Sequence, residues 1–102
     1  MSPDELADRI VAEMHDVDDW VSVADVLKVM GTSSFAAGRA DVESVLACVD
    51  ASGRLRLGRV HTEYEEIPKP LPVVALLDRI FSENSSSERS ALMMELFIAE
   101  SG

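Results

Sequence analysis

Two histidines, one cysteine and a cluster of aspartates are the side chains of this 102-residue chain whose types suit catalysis or metal binding. A nucleophile needs a base within hydrogen-bond reach, and a metal needs ligands at a helical or loop spacing. His15 and His61 lie far apart and belong to no such pattern. Cys48 sits beside an apolar helical stripe, where a small packing residue is expected rather than a nucleophile. Asp16, Asp18 and Asp19 in "DVDDW" imitate the start of a calcium loop. The sixth position from Asp16 is Val21 rather than glycine, and the twelfth is Leu27 rather than glutamate, so a solvated helix connection is expected instead. "GTSSFAAGR" lacks the lysine and spacing of a phosphate-binding loop. The expectation is a non-enzymatic protein with no catalytic residue, no metal site and no cofactor.

The remaining candidates are charges. "GRLRLGRVHTEYEEI" (residues 53–67) carries Arg54, Arg56, Arg59 and His61, then Glu63, Glu65 and Glu66. Arginine forks onto phosphate or carboxylate, so this ribbon is a candidate partner-binding wing. It can equally pair Arg54 and Arg56 with its own glutamates across two strands, at ~0–1 kcal/mol per exposed pair.

Composition narrows the partners. Apolar residues are 47% of the chain, enough for a core, and the net charge is −10. The charge is −6 over residues 1–30, +1 over 31–61 and −5 over 62–102. Nucleic acids and anionic membranes attract clustered Lys and Arg, so both are disfavoured. A single cysteine excludes an internal disulfide. "MSPDELADRI" is acidic and has no apolar segment of a signal peptide, and no apolar run approaches the ~20 residues of a membrane span. A cytoplasmic protein is expected.

The elements that would position these residues follow from local signals. Ser2, Pro3 and Glu5 open a first helix with Leu6, Ile10, Met14 and Val17 on one side. Trp20 is expected as a core plug. Ser22 caps a short second helix that stops at Gly31. A small-residue loop follows, with Phe35 as its expected anchor. Val42, Val45, Leu46 and Val49 mark a third helix, which Gly53 is expected to end in a left-handed conformation. Leu55 and Leu57 then alternate with Arg54 and Arg56 as a strand, Gly58 permits a turn or bulge, and "HTEYEEI" returns as a second strand. "PKPLP" is a stiff connector. Val73, Val74, Leu77, Ile80 and Phe81 predict a fourth helix. "SENSSS" reads as a loop, and Ser85 with Glu88 starts a fifth helix, "ERSALMMELFIAE", running to residue 100.

Helix, short helix, helix and two-stranded ribbon, carried by "WVSVADVLKVMG" and "RADVESVLACVDASGRLRLGRV", resembles the winged helix-turn-helix family over residues 3–67. The resemblance implies a mainly α fold: a winged-helix-like three-helix core with a two-stranded β-wing, plus two C-terminal helices. The whole chain, 1–102, is expected to be one domain, with the core at 3–67, the proline-rich connector at 68–72 and a C-terminal helical hairpin at 73–100. In DNA-binding members the third helix carries basic or amide side chains toward the duplex. Here the corresponding surface carries Arg39, Asp41, Glu43 and Asp50, with Arg39 alone suited to DNA. The expected function is therefore a protein-binding module that occupies a basic, nucleic-acid-binding surface of a protein partner. The alternative is a dimeric DNA-binding regulator using Arg39 and the wing arginines. A homodimer is expected through Leu92, Met93, Leu96 and Phe97, on a last helix whose apolar arc is wide enough for two contacts.

Overall fold

The Ser2 hydroxyl accepts the Glu5 amide and so begins α1, Pro3–Val17, in a computed structural model that describes residues 2–60, 62–82 and 85–101. Leu6, Ile10 and Met14 of this helix are buried, while Val17 is exposed. Asp18 ends the helix in the left-handed region (φ 52°), which aspartate tolerates better than most residues. A two-residue strand, β1 (Val21–Ser22), leads into α2 (Val23–Val29). Ser22 and Asp25 cap one another's backbone amides reciprocally, satisfying donors the helix cannot. Gly31, at φ 89°, turns the chain out of α2.

The loop that follows is held differently from the expectation. Phe35 is 59% exposed, and Ala37 is buried instead. The Ser34 and Ser90 hydroxyls, both buried, share a 2.6 Å hydrogen bond that pins the loop to α5. α3 (Arg39–Ala51) buries Val42, Val45, Leu46 and Val49 completely, the stripe its spacing predicts. Its end differs: Ser52 is already extended, and Gly53 is not left-handed. A side chain at Gly53 would meet nothing within 4 Å. The turn is closed by neighbours, since Lys69 Nζ donates to the Ser52 and Leu55 carbonyls at 2.6 Å each. One residue beyond the next proline, the Leu71 amide donates to Asp50 Oδ1. The proline-rich connector is thus tied down on the C-terminal end of α3.

The larger correction concerns the sheet. β2 (Leu55–Val60) and β3 (Tyr64–Glu66) pair antiparallel, with Val60 opposite Tyr64. They form half of a four-stranded antiparallel sheet in the order β1-β4-β2-β3, not an isolated two-stranded wing. After α4 (Val73–Phe81), helix α5 (Ser86–Glu95) starts at Ser85, whose hydroxyl accepts the Glu88 amide. The "SENSSS" loop falls partly outside the described residues, and its last two serines are already helical. α5 stops at Glu95, and Leu96–Glu100 continues without a loop as β4. β4 pairs with β2 from Leu55↔Glu100 to Arg59↔Leu96, and with β1 at Val21↔Ile98 and Ser22↔Phe97. The expected C-terminal helical hairpin is therefore a helix pair followed by a central strand.

The wide apolar arc of 88–99 has its explanation here. β4 sits between two strands, and its alternation turns Leu96 and Ile98 toward the core while Phe97 on the other side is half-buried. Met93, Leu96 and Ile98 are buried within the chain, and Leu92 and Phe97 are half-buried. Leu92, Met93, Leu96 and Phe97 do not form the one helical surface on which a twofold dimer was expected. Among the described residues the architecture is a mixed one: five helices and one antiparallel sheet, with α2, α3 and α5 in contact with its strands. No helix among the described residues is long and apolar enough to cross a membrane.

Two stability outcomes follow from this arrangement. Ile98→Ala empties a fully buried central position and should cost about 2–5 kcal/mol by chemical denaturation. Phe97→Ala on the opposite face should cost clearly less; equal costs would count against the strand. Gly31→Ala should lose about 1 kcal/mol to left-handed strain, while Gly53→Ala should leave the unfolding midpoint nearly unchanged.

Candidate partner-binding face

The structure disperses the arginine ribbon. Arg54 reaches back to α1 and pairs with Asp8 at 2.8 Å. Arg56 pairs with Glu66 across the β2–β3 ladder at 3.1 Å. Arg59 makes no ion pair with a described residue and lies beside Leu76 and Leu96. His61 lies outside the described residues. The third-helix candidates are engaged as well. Arg39 pairs with Asp78 of α4 at 2.7 Å, Asp41 accepts the Gly38 amide at the start of α3, and Asp50 holds Leu71. Glu43 stays exposed beside a groove that includes Ser2, Pro3 and Leu6. The two sets thus serve mainly as ties between elements.

A different group of side chains gathers on the sheet. Alternation along β2 and β4 sends Leu55, Leu57 and Ile98 toward the helices and leaves Arg56, Gly58, Phe97 and Ala99 on the opposite face. On that face Arg56 and Phe97 are half-buried, while Ala99 is buried. Trp20 approaches it from the β1 edge and Tyr64 from the β3 edge. Their rings meet at 4.7 Å between centroids, inclined by 43°. The contact spans two intervening strands because the residues beneath are small. At Gly58, a Cβ would stand 2.5 Å from Tyr64 Cζ and 2.7 Å from the Glu65 carbonyl oxygen, so only glycine fits there. Glycine inside a strand signals a close approach of this kind. That was the signal for this site in the sequence, where Gly58 reads as a turn or bulge.

Trp20 is 42% exposed, not a core plug. The Arg56 guanidinium carbon stands 5.2 Å from the Tyr64 ring centroid, within cation–π range. Burial pushes the Tyr64 phenol above its ordinary pKa; Arg56 opposes this and Glu66 adds to it. The phenol therefore stays neutral at physiological pH. Its hydroxyl and Arg56 Nε are both shut off from solvent without a hydrogen-bond partner. A buried polar atom without a partner among the described residues costs about 1–3 kcal/mol.

The rim of the face is acidic. A groove of about 300 Å³ at its corner is lined by His15, Asp18, Asp19, Trp20, Arg56 and Glu100, among others. His15 Nε2 lies 2.7 Å from Glu100 Oε1. Asp19 Oδ1 accepts the Trp20 amide at 2.7 Å. Asp18, in its left-handed conformation, makes no side-chain hydrogen bond or ion pair with the described residues.

The other chemical candidates behave as packing groups. Cys48 is buried and its thiol donates to the Pro3 carbonyl at 3.3 Å. Burial pushes its pKa up, against a smaller opposing effect of Arg54, which makes it a poor nucleophile at neutral pH. No group of three or more His, Cys, Asp or Glu among the described residues is placed to hold a metal ion. The chain matches no protein-family model, no curated protein and no solved structure. What the geometry defines is a mixed α and β chain in which Trp20, Tyr64 and Arg56 meet on the sheet beside an acid-rimmed groove.

Gly58→Ala tests whether the face is built on that close approach. It should force Tyr64 or β3 aside, cost about 1–3 kcal/mol and shift the emission of Trp20, the one tryptophan of the chain. Unchanged stability and emission would mean that the ring is not seated over Gly58.

Proposed function

We propose that this chain is a non-enzymatic protein-binding module whose partner presents a basic surface of the kind that holds nucleic acid. The observation that carries this reading is the pairing of its arginines. Arg39, Arg54 and Arg56 each face a carboxylate of the same chain at 2.7–3.1 Å. Three of the basic groups that would have met phosphate are thus neutralised from within, and the net charge of the chain is strongly negative. A net charge of −10 steers the chain toward cations and repels polyanions.

A winged-helix-like core belongs to the same proposal. Its support is the order α1, β1, α2, α3, β2, β3 over residues 3–66, which resembles that family's order. The insertion of β4 between β1 and β2 sets this chain apart from a simple wing. A DNA regulator would need Arg39, Arg54 and Arg56 to abandon their carboxylates. It would also bring Glu43 toward the duplex.

The test compares two kinds of partner. Pull-down at about 0.15 M salt should enrich basic proteins, and capture should fall at about 1 M, where screening shortens to ~3 Å. Fluorescence anisotropy with random duplex DNA should show no micromolar binding. Micromolar DNA binding that weakens in Arg54→Ala and Arg56→Ala, with a shallower salt slope, would overturn the proposal.

A further inference from the structure

We propose that the groove between Trp20 and Glu100 seats an arginine side chain from a basic segment of the partner. This rests on the protein-binding reading above and assigns its point of contact. The groove lies where the end of α1, with Met14 and His15, meets the Arg56 and Ala99 side of the sheet. Its wall is the exposed part of the Trp20 indole, held from behind by Tyr64. A guanidinium is planar and weakly hydrated, and it stacks on an aromatic face while its edge donates to carboxylates.

The acceptors are at hand. Asp18, Asp19 and Glu100 line the groove. Asp19 spends one oxygen on the Trp20 amide, and Asp18 spends neither on a described side chain. On the same rim Arg56 pairs with Glu66 through Nη1, and His15 Nε2 lies against one oxygen of Glu100, Oε1, so Asp18, Asp19 and the second Glu100 oxygen are the acceptors that remain. The groove therefore presents excess negative charge beside an aromatic surface. At about 300 Å³ it is at the small end of ligand-sized clefts, which admits one long side chain but not a helix. Trp, Tyr and Arg are also the residue types that concentrate binding energy at protein interfaces.

Arginine is favoured over lysine on geometric grounds. A compact ammonium can meet the carboxylates but cannot both stack and fork. The partner's backbone would then cross the same side of the sheet, where Phe97 and Tyr64 are only partly covered.

The full chain can be titrated with hexa-arginine and hexa-lysine peptides, following Trp20 emission and calorimetric heat together. Hexa-arginine should give a saturable emission change and bind more tightly than hexa-lysine. Asp18→Asn and Glu100→Gln, both at exposed positions, should each weaken it about two- to fivefold, as partly exposed ion pairs do. Trp20→Leu, followed by heat alone, should weaken it further, and Glu43→Gln on α3 should leave it unchanged. Circular dichroism establishes that each variant is folded. Calorimetric binding without a Trp20 response, or insensitive to Asp18→Asn and Glu100→Gln, would overturn the seat while leaving the protein-binding reading in place. Equal affinity for hexa-lysine would overturn the choice of arginine. No binding to either peptide, together with a failed pull-down of basic proteins, would overturn both readings.

Discussion

The pairing of β4 with β2 is the contact on which the rest of the structure depends. Five residues, Leu96–Glu100, run antiparallel along Leu55–Arg59 and join β1 to the β2–β3 hairpin. Without them, β1 would be two residues with no sheet to belong to, and an isolated hairpin is marginal in water. With them, Ile98 closes the core between Val21 and Leu57, and Met93 at the end of α5 is drawn into it. Backbone hydrogen bonding and apolar burial are satisfied by the same short segment, which leaves no room for that segment to continue as helix.

The same pairing creates the candidate face. β4 brings Ala99 beside Arg56, and a small residue there joins Gly58 in forming a low floor. Trp20 and Tyr64, from opposite edges of the sheet, can meet only across such a floor. The chemistry of the surface thus follows from two small side chains rather than from the aromatic residues alone. Its acidity has another origin. α1 ends in Asp18 and Asp19, and β4 ends in Glu100, so element ends place carboxylates at one corner.

What the sequence disclosed was what local interactions decide. Ser2, Ser22 and Ser85 cap helices as their neighbours predict, because a cap involves residues within one turn. The α3 stripe and the Leu55–Leu57 alternation were legible for the same reason. The β4 strand was not. "LMMELFIA" is apolar on every side, which fits a two-faced helix as well as a central strand, and no glycine or proline separates α5 from β4. Partners at Val21 and Leu57, distant in sequence, decide the matter. Trp20 and Phe35 were misleading in the opposite sense, since size and apolarity argue for burial but do not require it. Of the wing, strand alternation showed that Arg56 could pair with a glutamate across the ribbon but left Glu63, Glu65 and Glu66 open, and the register selects Glu66. Arg54–Asp8 was not legible, because nothing local joins β2 to α1.

The position of β4 also bears on the order in which the molecule can assemble. Val21 and Ile98 must meet across most of the chain, and closing so long a loop is entropically costly before any pairing rewards it. The helices α1 to α3 and the β2–β3 hairpin involve nearer contacts and can form ahead of it. During that interval β2 carries an unpaired edge with Leu55 and Leu57 beside it, the kind of edge that recruits a strand from another molecule. In the folded molecule β4 occupies that edge along Leu55–Arg59, so protection of the β2 amides from hydrogen exchange reports how firmly the last strand is held.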